Sequence, residues 1–400
     1  MNSEPNWGEF FEDRERLYAS FHLQYAQQHA RRDLEAYEQL EAEIGNILKT
    51  AVWLTEQDAS KDILNLAEAL WAQSDFLHSR GFIQRGLPLL EQARQAACQL
   101  GDSRAEFTWL EALVRVHLST GNLALAQPLH EEALVLAQKI DEPKLKAYTQ
   151  LEMGRMHMEL GRLEQAAVWL RQALQGYRQI QDYEGEINTL AALGNLLSLQ
   201  GDFATAEAYL EQGLPLAQAR QDRQSEVALR YALGYAAALA QDWPKAIIRF
   251  EAVTDMARTV GDRFFEVRGL LSLGEAQLGQ GNAQQAVILL KEALVRQEIS
   301  DDIMTKAFAH IYFAKACYAL NDLDDALVQL KLIYPYLLTM HQNPFLATLA
   351  AEAAWIMANS YLKQGKICLA RTALHDVLNL APNHMTDIRE SAEQLFNTIE

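Results

Sequence analysis

The sequence predicts an all-α solenoid built from antiparallel helix pairs. Turn residues recur every 40 residues along most of the chain. The segments between them carry apolar residues at helical spacing, as at Leu190, Leu193 and Leu197. The composition agrees, because the 400 residues include only nine Pro and twenty Gly. Each unit of such an array packs only on its neighbours, so a chain of this length need not divide into globular domains.

Two series of turn residues define the repeat. The first recurs every 40 residues, at Gly81, Gly121, Gly161, Gly201, Gln241, Gly281 and Asn321. The second lies halfway between, at Gly101-Asp102, Asp141-Glu142, Gln181-Asp182, Gln221-Asp222, Gly261-Asp262 and Asp301-Asp302. Two turns per unit predict two helices per unit. Glycine tolerates the left-handed backbone that ends a helix, and the following Asp can cap the next helix through its carboxylate.

Small residues mark where the paired helices are expected to touch. Glycine recurs seven residues before the turn, at Gly154, Gly194, Gly234 and Gly274. Alanine recurs five residues after it, at Ala126, Ala166, Ala206, Ala246, Ala286 and Ala326. A glycine inside a helix costs roughly 0.5–1 kcal/mol. Its repetition at one position therefore predicts a close approach of the two backbones.

This frame resembles the tetratricopeptide repeat family. The resemblance is carried by Leu193-Gly194, Gly201, Ala206, Leu210 and Gly213, with equivalents in the units around Gly161 and Gly281. The family's usual repeat has about 34 residues, and the 40-residue form with a Gly-Asp linker resembles a longer-helix subgroup of signalling scaffolds and bacterial regulators. Over about residues 60–381, the resemblance implies a right-handed superhelix whose concave groove binds a protein or peptide segment.

Residues 59–381 are expected to hold about eight helix pairs. The last turn, at Gly365, follows Asn321 by 44 residues instead of 40. We therefore expect a longer loop near Met340 to Pro344. Residues 382–400 are expected to form a capping helix from Asp387 to Ile399, because the end of a solenoid needs one polar face.

Residues 1–58 fall outside the repeat frame and are expected to form a helical hairpin. Its helices are predicted over about Trp7 to Ala30 and Asp33 to Leu54. The stretch from Leu40 to Ala51 resembles the start of the helical sensor region of bacterial multidomain signalling ATPases, and Gly81 to Leu100 continues that likeness. The sequence contains no P-loop, so this resemblance implies such a sensor without its ATPase.

Charge and composition exclude several classes of protein. The net charge is −18 and the basic runs are short, so nucleic acid is not expected as a direct partner. No apolar run approaches the length of a membrane span. The N-terminus lacks the apolar core of a signal peptide, and the three cysteines, Cys98, Cys317 and Cys368, form no CxxC pair. We expect a cytoplasmic protein with free thiols.

No cluster of residues predicts catalysis, so we expect neither an enzyme nor a bound cofactor. Gly279-Gln280-Gly281 lacks the third glycine of a phosphate-binding loop and follows a helix. The acidic run from Asn321 to Asp325 lacks the central Gly and distal Glu of a calcium loop, so we interpret it as a capped helix start. The ten His have no metal-binding spacing, so no metal site is expected.

The resemblance predicts which residues face the groove, because the first helix of each pair lines the concave side in this family. The predicted groove residues are Trp71, Asp75, His78, Glu111, Arg115, Tyr148, Arg155, Met158, Asn188, Asn195, Ser198, Tyr231, Tyr235, Arg268, Glu275, Lys315, Tyr318, Trp355 and Asn359. Any one of them can instead be a solvated or packing residue. Together, aromatic rings with Asn and Arg are what a peptide-binding surface uses.

Two functions remain open at this stage. The first is a scaffold or adaptor that holds a protein segment. The second is a regulatory sensor that acts on a separate effector when a peptide or partner binds. The family's carboxylate clamp needs several Lys and Asn together, whereas Asn195 and Asn359 are isolated and only Lys315 adds a Lys. Binding of chaperone tails is therefore not expected, and the sequence leaves the oligomeric state open.

Overall fold

Helices account for all the regular secondary structure of the described chain. The computed structural model describes residues 7–120, 122–297, 303–339, 344–382 and 385–398. Its α-helices are α1 (Trp7–Gln28), α2 (Leu34–Glu56), α3 (Ser60–Ala67), α4 (Phe76–Ser79), α5 (Ile83–Leu100), α6 (Ser103–Ser119), α7 (Leu123–Ile140), α8 (Pro143–Glu159), α9 (Leu163–Gln179), α10 (Tyr183–Leu199), α11 (Phe203–Ala219), α12 (Arg223–Leu239), α13 (Trp243–Val260), α14 (Arg263–Gly279), α15 (Ala283–Gln297), α16 (Ile303–Ala319), α17 (Leu323–Thr339), α18 (Pro344–Lys363), α19 (Ile367–Leu380) and α20 (Thr386–Thr398). The predicted all-α solenoid is confirmed.

Consecutive helices pack as hairpins, which we number as units. Unit one comprises α3 to α5, and units two to eight are the pairs α6/α7, α8/α9, α10/α11, α12/α13, α14/α15, α16/α17 and α18/α19. From α8 to α18, the first helices of neighbouring units contact one another, whereas the second helices do so far less. The first helices therefore lie on the inner, concave side of the solenoid.

The turns have the predicted chemistry. Asp caps begin α6, α10, α11, α12, α13 and α14, and each carboxylate accepts a backbone N–H of the first turn. Where the turn glycine is absent, the substitute takes the left-handed conformation itself, with φ of 58° at Gln241 and 61° at Asn321. Gly121, the 301–302 turn and the predicted loop at 340–343 lie outside the described residues.

Unit one departs from the predicted single first helix. After α3, a π-helical segment covers Glu68–Gln73, and Asp75 then takes a left-handed φ of 53° before the four-residue α4. The phenol of Tyr37 donates to the carbonyl of Ser74 at 2.7 Å, and this buried contact diverts the Ser74 carbonyl from the helical ladder. The prediction that Trp71, Asp75 and His78 share one helix face is therefore wrong.

The small residues allow the predicted close approach within each pair. A Cβ placed on Gly194 would lie 2.4 Å from the side chain of Leu210, and one on Gly234 would lie 2.7 Å from Phe250. Gly154 and Gly274 meet a leucine of the paired helix in the same way. The alanines predicted to touch are also buried, with Ala166 and Ala206 fully enclosed.

The two terminal segments pack on the ends of the array. α1 and α2 form a hairpin that shares a buried core with unit one. At the other end, Ala392 of α20 is buried and Phe396 packs against the core of unit eight. The division of the chain into 1–58, 59–381 and 382–400, with α20 as the cap, stays a prediction.

The N-terminal helices also contact the middle of the solenoid. The guanidinium of Arg263 donates to both carboxylate oxygens of Glu41, at 3.0 and 3.2 Å. Arg80 donates to the same carboxylate at 3.0 Å and to the carbonyl of Gly261 at 3.2 Å. These pairs join residues 222 and 181 positions apart in the chain. Unit one and α2 therefore lie against the start of unit six.

Further polar and ring contacts extend this junction. The amide of Gln224 donates to the phenol of Tyr37 at 2.7 Å and to the hydroxyl of Ser79 at 3.0 Å. The rings of His78 and Phe264 lie 4.4 Å apart. We call the whole junction between residues 34–80 and 224–264 the clasp.

The N-cap of α14 lies buried inside the clasp. Burial raises the pKa of Asp262 to about 6, although its hydrogen bond from the Phe265 amide and the charge of His78 oppose the rise. The neighbouring carboxylate of Asp75 raises it further. Because the folded pKa exceeds the unfolded one, the protonated carboxyl favours the folded state at low pH, and this contribution is lost as the pH rises towards 6.

We predict that Gly194→Ala destabilises unit four by about 1–3 kcal/mol, because the new methyl group overlaps Leu210. Chemical denaturation followed by circular dichroism measures the loss. Gly45→Ala is the matched control, since a Cβ there meets nothing within 4 Å in α2, and it should be neutral or slightly stabilising. Equal stability of the parent and the Gly194 variant would refute the assigned contact.

We predict that Asp262→Asn stabilises the protein relative to the parent by about 1–3 kcal/mol at pH 7, with a smaller gain at pH 4. Asn keeps the cap but removes the charge that burial penalises. Thermal melts at both pH values measure the difference. Asp242→Asn, at the exposed cap of α13, shows the cost of the cap exchange alone. If the stability difference between Asp262→Asn and the parent is smaller at pH 7 than at pH 4, the raised pKa of Asp262 is contradicted.

Candidate protein-interaction groove

The concave surface is formed by the first helices, and most of the predicted groove residues lie there partly exposed. Three of them are buried instead. Glu111 is 1% exposed, and Ser198 is 2% exposed with its hydroxyl donating to the Gly194 carbonyl at 2.8 Å. Trp71 is 7% exposed beneath the guanidinium of Arg115, 5.1 Å from the ring centre. Glu111 and Ser198 therefore offer no accessible surface, which corrects the prediction for both.

The N-terminal end of the surface combines Asp75, His78, Arg115 and Tyr148. The carboxylate of Asp75 lies 3.3 Å from the His78 ring. Burial acts to raise the pKa of Asp75, but the positive charges of His78 and Arg115 outweigh burial and lower it. Burial raises the pKa of the Tyr148 phenol well above its usual value, so this hydroxyl stays a donor at neutral pH. This end therefore presents a fixed pattern of charge and one neutral hydroxyl.

A buried cluster of titratable groups lies behind this end, between units two and three. The Glu111 carboxylate lies 3.2 Å from the His130 ring without forming a well-aligned hydrogen bond. Burial raises the pKa of Glu111. Burial acts to lower the pKa of His130, but Glu111 outweighs this effect and raises it. Glu152 is buried as well, and Arg155 donates to it at 2.6 Å.

The sequence analysis did not single out His130 and Glu152, although the repeat frame carried a signal. His130 stands where later units have Leu170, Leu210 or Phe250. A polar residue at a core position of the frame indicates a specific contact, because burying it without partners is unfavourable. Glu152 likewise replaces the alanine of the neighbouring units.

Two amide side chains lie in the middle of the surface, on α10. Asn188 and Asn195 are seven residues apart, half-buried, and without a hydrogen-bond partner among the residues that the structure describes. Met158, on the preceding first helix, is also half-buried. An unpaired amide can donate and accept at the same time, as the backbone of an extended peptide requires.

The two central tyrosines take part in helix packing. The ring of Tyr231 lies 5.6 Å from both Phe250 and Phe265, and its hydroxyl is 3.1 Å from that of Ser272. The Arg268 guanidinium lies over the Tyr231 ring at 4.9 Å and over Phe264 at 5.3 Å. Tyr235 packs against the core shared by α13 and α14. Both tyrosines are half-exposed, so they also contribute to the concave surface.

The C-terminal end of the surface contains several charged side chains. Burial raises the pKa of Glu275, which is close to the phenol of Tyr312. The ammonium of Lys315 lies 2.5 Å from the Glu352 carboxylate. Lys363 lies 4.0 Å from the centre of the Tyr318 ring. The sequence analysis missed Tyr312, Glu352 and Lys363.

The last predicted residues, Trp355 and Asn359, lie one helical turn apart on α18. The amide of Asn359 donates to the Trp355 carbonyl at 2.8 Å, so it already has an acceptor within its own helix. Both side chains remain half-buried. The concave surface therefore continues to unit eight, but the two amides without a partner, Asn188 and Asn195, are in unit four.

The described residues contain neither a helix that could span a membrane nor a cluster of metal ligands. None of their helices has the length and apolar character needed to cross a bilayer. No three His, Cys, Asp or Glu side chains come together there as metal ligands. Cys98, Cys317 and Cys368 are all free thiols.

Comparisons with known proteins agree with the fold. The family model of the tetratricopeptide repeat matches residues 145–219, which cover α8 to α11. A search of the curated proteins with this sequence gives no match.

Three solved structures illustrate the similarity. A Rap protein complexed with competence and sporulation factor has a TM-score of 0.58 at 14% identity, covering 87% of this chain and 99% of that protein. The Cut9-Hcn1 hetero-tetramer of the APC/C has a TM-score of 0.58 at 14% identity, covering 91% of this chain and 62% of that one. A signal transduction ATPase with numerous domains from Pyrococcus horikoshii, which has a tetratricopeptide repeat sensor, has a TM-score of 0.55 at 14% identity, covering 88% of this chain.

This chain spans only 55% of the length of the Pyrococcus protein. At such low identity, the three likenesses concern the fold. Residues 145–219 therefore belong to the tetratricopeptide repeat family, and the described chain as a whole has the all-α solenoid fold of proteins that contain this repeat.

Proposed function

We propose that this chain is a non-catalytic scaffold or adaptor whose concave groove holds a segment of another protein. The observation that carries the proposal is the pair of unpaired amides at Asn188 and Asn195, half-buried on the inner helix of unit four. These amides lie partly exposed on the groove surface, where a ligand can replace the water that they bind. An extended peptide backbone offers donors and acceptors along its whole length.

The surfaces on either side of Asn188 and Asn195 support a protein partner. Tyr231, Arg268 and Tyr148 supply aromatic and planar cationic groups, which are enriched at protein interfaces. The net charge of −18 disfavours nucleic acid. The free thiols fit a reducing compartment, so the proposal places the protein in the cytoplasm.

A regulatory sensor is the second candidate, and the clasp favours it. A scaffold needs one open surface, whereas a sensor needs two states of the array. The solved Rap protein with its bound factor and the ATPase with a repeat sensor share the fold of this chain. In this second proposal, binding of the segment changes the arrangement of the helix pairs. That change alters the activity of a separate signalling effector, as in a bacterial regulator.

We predict that peptides selected from a random library on the immobilised full chain lose at least about tenfold in affinity for Asn188→Ala/Asn195→Ala. Each lost hydrogen bond contributes about 0.5–1.5 kcal/mol. The stability should hardly change, since neither amide bonds within the described protein. Isothermal titration of the selected peptides and thermal melts measure both quantities.

Gln165→Ala/Gln175→Ala is the matched control, because both side chains are exposed on α9, the second helix of unit three. The control should leave the affinity of the same peptides unchanged. Peptides that bind the Asn188/Asn195 variant as tightly as the parent would refute the groove assignment.

A further inference from the structure

We propose that the clasp is a releasable latch, and that the joint between α7 and α8 is the hinge about which unit one swings away from unit six. This inference deepens the proposed function by naming how access to the groove is regulated. Its own support is the geometry of the clasp and the hinge, which does not depend on any partner.

The clasp is mainly polar, apart from the packing of Leu34 on Gly261 and of His78 on Phe264. No buried apolar cluster of the described residues crosses it. The core that contains Tyr37 and Phe76 draws its residues from the first 129 positions. The cores that contain residues of units five and six draw theirs from positions 187 onward. A junction made mainly of ion pairs and hydrogen bonds can open without exposing a hydrophobic core. Unit one and unit six therefore stay folded on either side of an open clasp.

The central ion pair of the clasp is only partly shielded from water. Burial acts to raise the pKa of Glu41, but the hydrogen bonds and charges of Arg80 and Arg263 outweigh it and lower the pKa. The carboxylate keeps Arg80, which lies on its own side of the clasp, when Arg263 withdraws. Opening therefore leaves the buried charge of Glu41 paired, which lowers the cost of release.

The joint between α7 and α8 is the least tightly packed contact between successive units. α7 packs lightly on α8, whereas every other second helix makes extensive contact with the next first helix. A crevice of about 710 Å³ opens there, lined among others by Ala137, Pro143 and Trp169. The buried cluster of Glu111, His130 and Glu152 lies between the same two units, and several of its polar atoms lack a well-aligned hydrogen bond. Rotation at this joint disturbs less packing than rotation elsewhere.

The clasp is directly connected to the groove. The His78 ring contacts Phe264 in a tilted arrangement, Phe264 lies beneath the Arg268 guanidinium, and Arg268 covers the Tyr231 ring. Closure therefore places His78 of unit one on Phe264, which in turn contacts the predicted groove residue Arg268 of unit six. A segment bound at Tyr231 and Arg268 is in contact with the latch, so its occupancy and the state of the latch are thermodynamically linked.

The test uses the full chain and no partner. Arg263→Gln with Gln224→Ala removes the two cross-clasp donors that lie on the C-terminal side and leaves the single bond from Arg80 to the Gly261 carbonyl. The Glu41–Arg80 and Tyr37–Ser74 contacts of the N-terminal side stay intact. We expect a larger radius of gyration by small-angle X-ray scattering. We also expect hydrogen exchange at least about tenfold faster in residues 34–41, 76–80 and 137–147, with unchanged helicity.

Arg223→Gln with Glu184→Ala is the matched control, because these residues occupy the same repeat positions one unit earlier. Arg223 forms an ion pair with Glu226 of its own helix, and Glu184 is exposed. The control variant should have the same radius of gyration and the same hydrogen-exchange rates as the parent. If the clasp variant also keeps both, the latch is refuted, while the peptide affinities of the Asn188/Asn195 variant still test the groove separately.

Discussion

The close approach of two helices at one small residue per unit is the constraint on which this solenoid depends. Where Gly194 meets Leu210 and Gly234 meets Phe250, the backbone of one helix receives a large apolar side chain of its partner. Unit two departs from this arrangement, because Val114 replaces the glycine and His130 replaces the large apolar residue. It is also the unit whose second helix packs lightly on the next one. The residues at this pair of repeat positions therefore account both for the regular packing of the other units and for its interruption in unit two.

Local chemistry allowed much of the fold to be predicted from the sequence. Turn residues, Asp caps and the small-residue positions act within one unit or between adjacent helices, so the 40-residue pattern reports them directly. The break in unit one could not be predicted in this way. It depends on Tyr37 reaching the Ser74 carbonyl from another helix. The clasp depends on pairs such as Glu41 and Arg263, whose proximity follows from the curvature of the whole array.

The candidate groove was predicted only in outline, because helix-face geometry does not decide which side chains neighbours cover. It placed Asn188 and Asn195 on the half-exposed inner surface. It could not show that Ser198 would donate to its own helix, or that Tyr231 would pack between Phe250 and Phe265. Nor could it show that residues of units one and six would meet.

The clasp also affects the order in which the chain folds. Arrays with only nearest-neighbour contacts can nucleate at any unit and grow outward. The contact between Glu41 and Arg263 instead closes a loop of 222 residues, and the entropy of such a loop is lost before the contact is made. Once the intervening units have folded, the chain between the two residues is already ordered, so this entropy has already been lost. The clasp therefore forms last in folding, and while it is closed it carries a pulling force on the two ends of the chain in place of the units between Glu41 and Arg263.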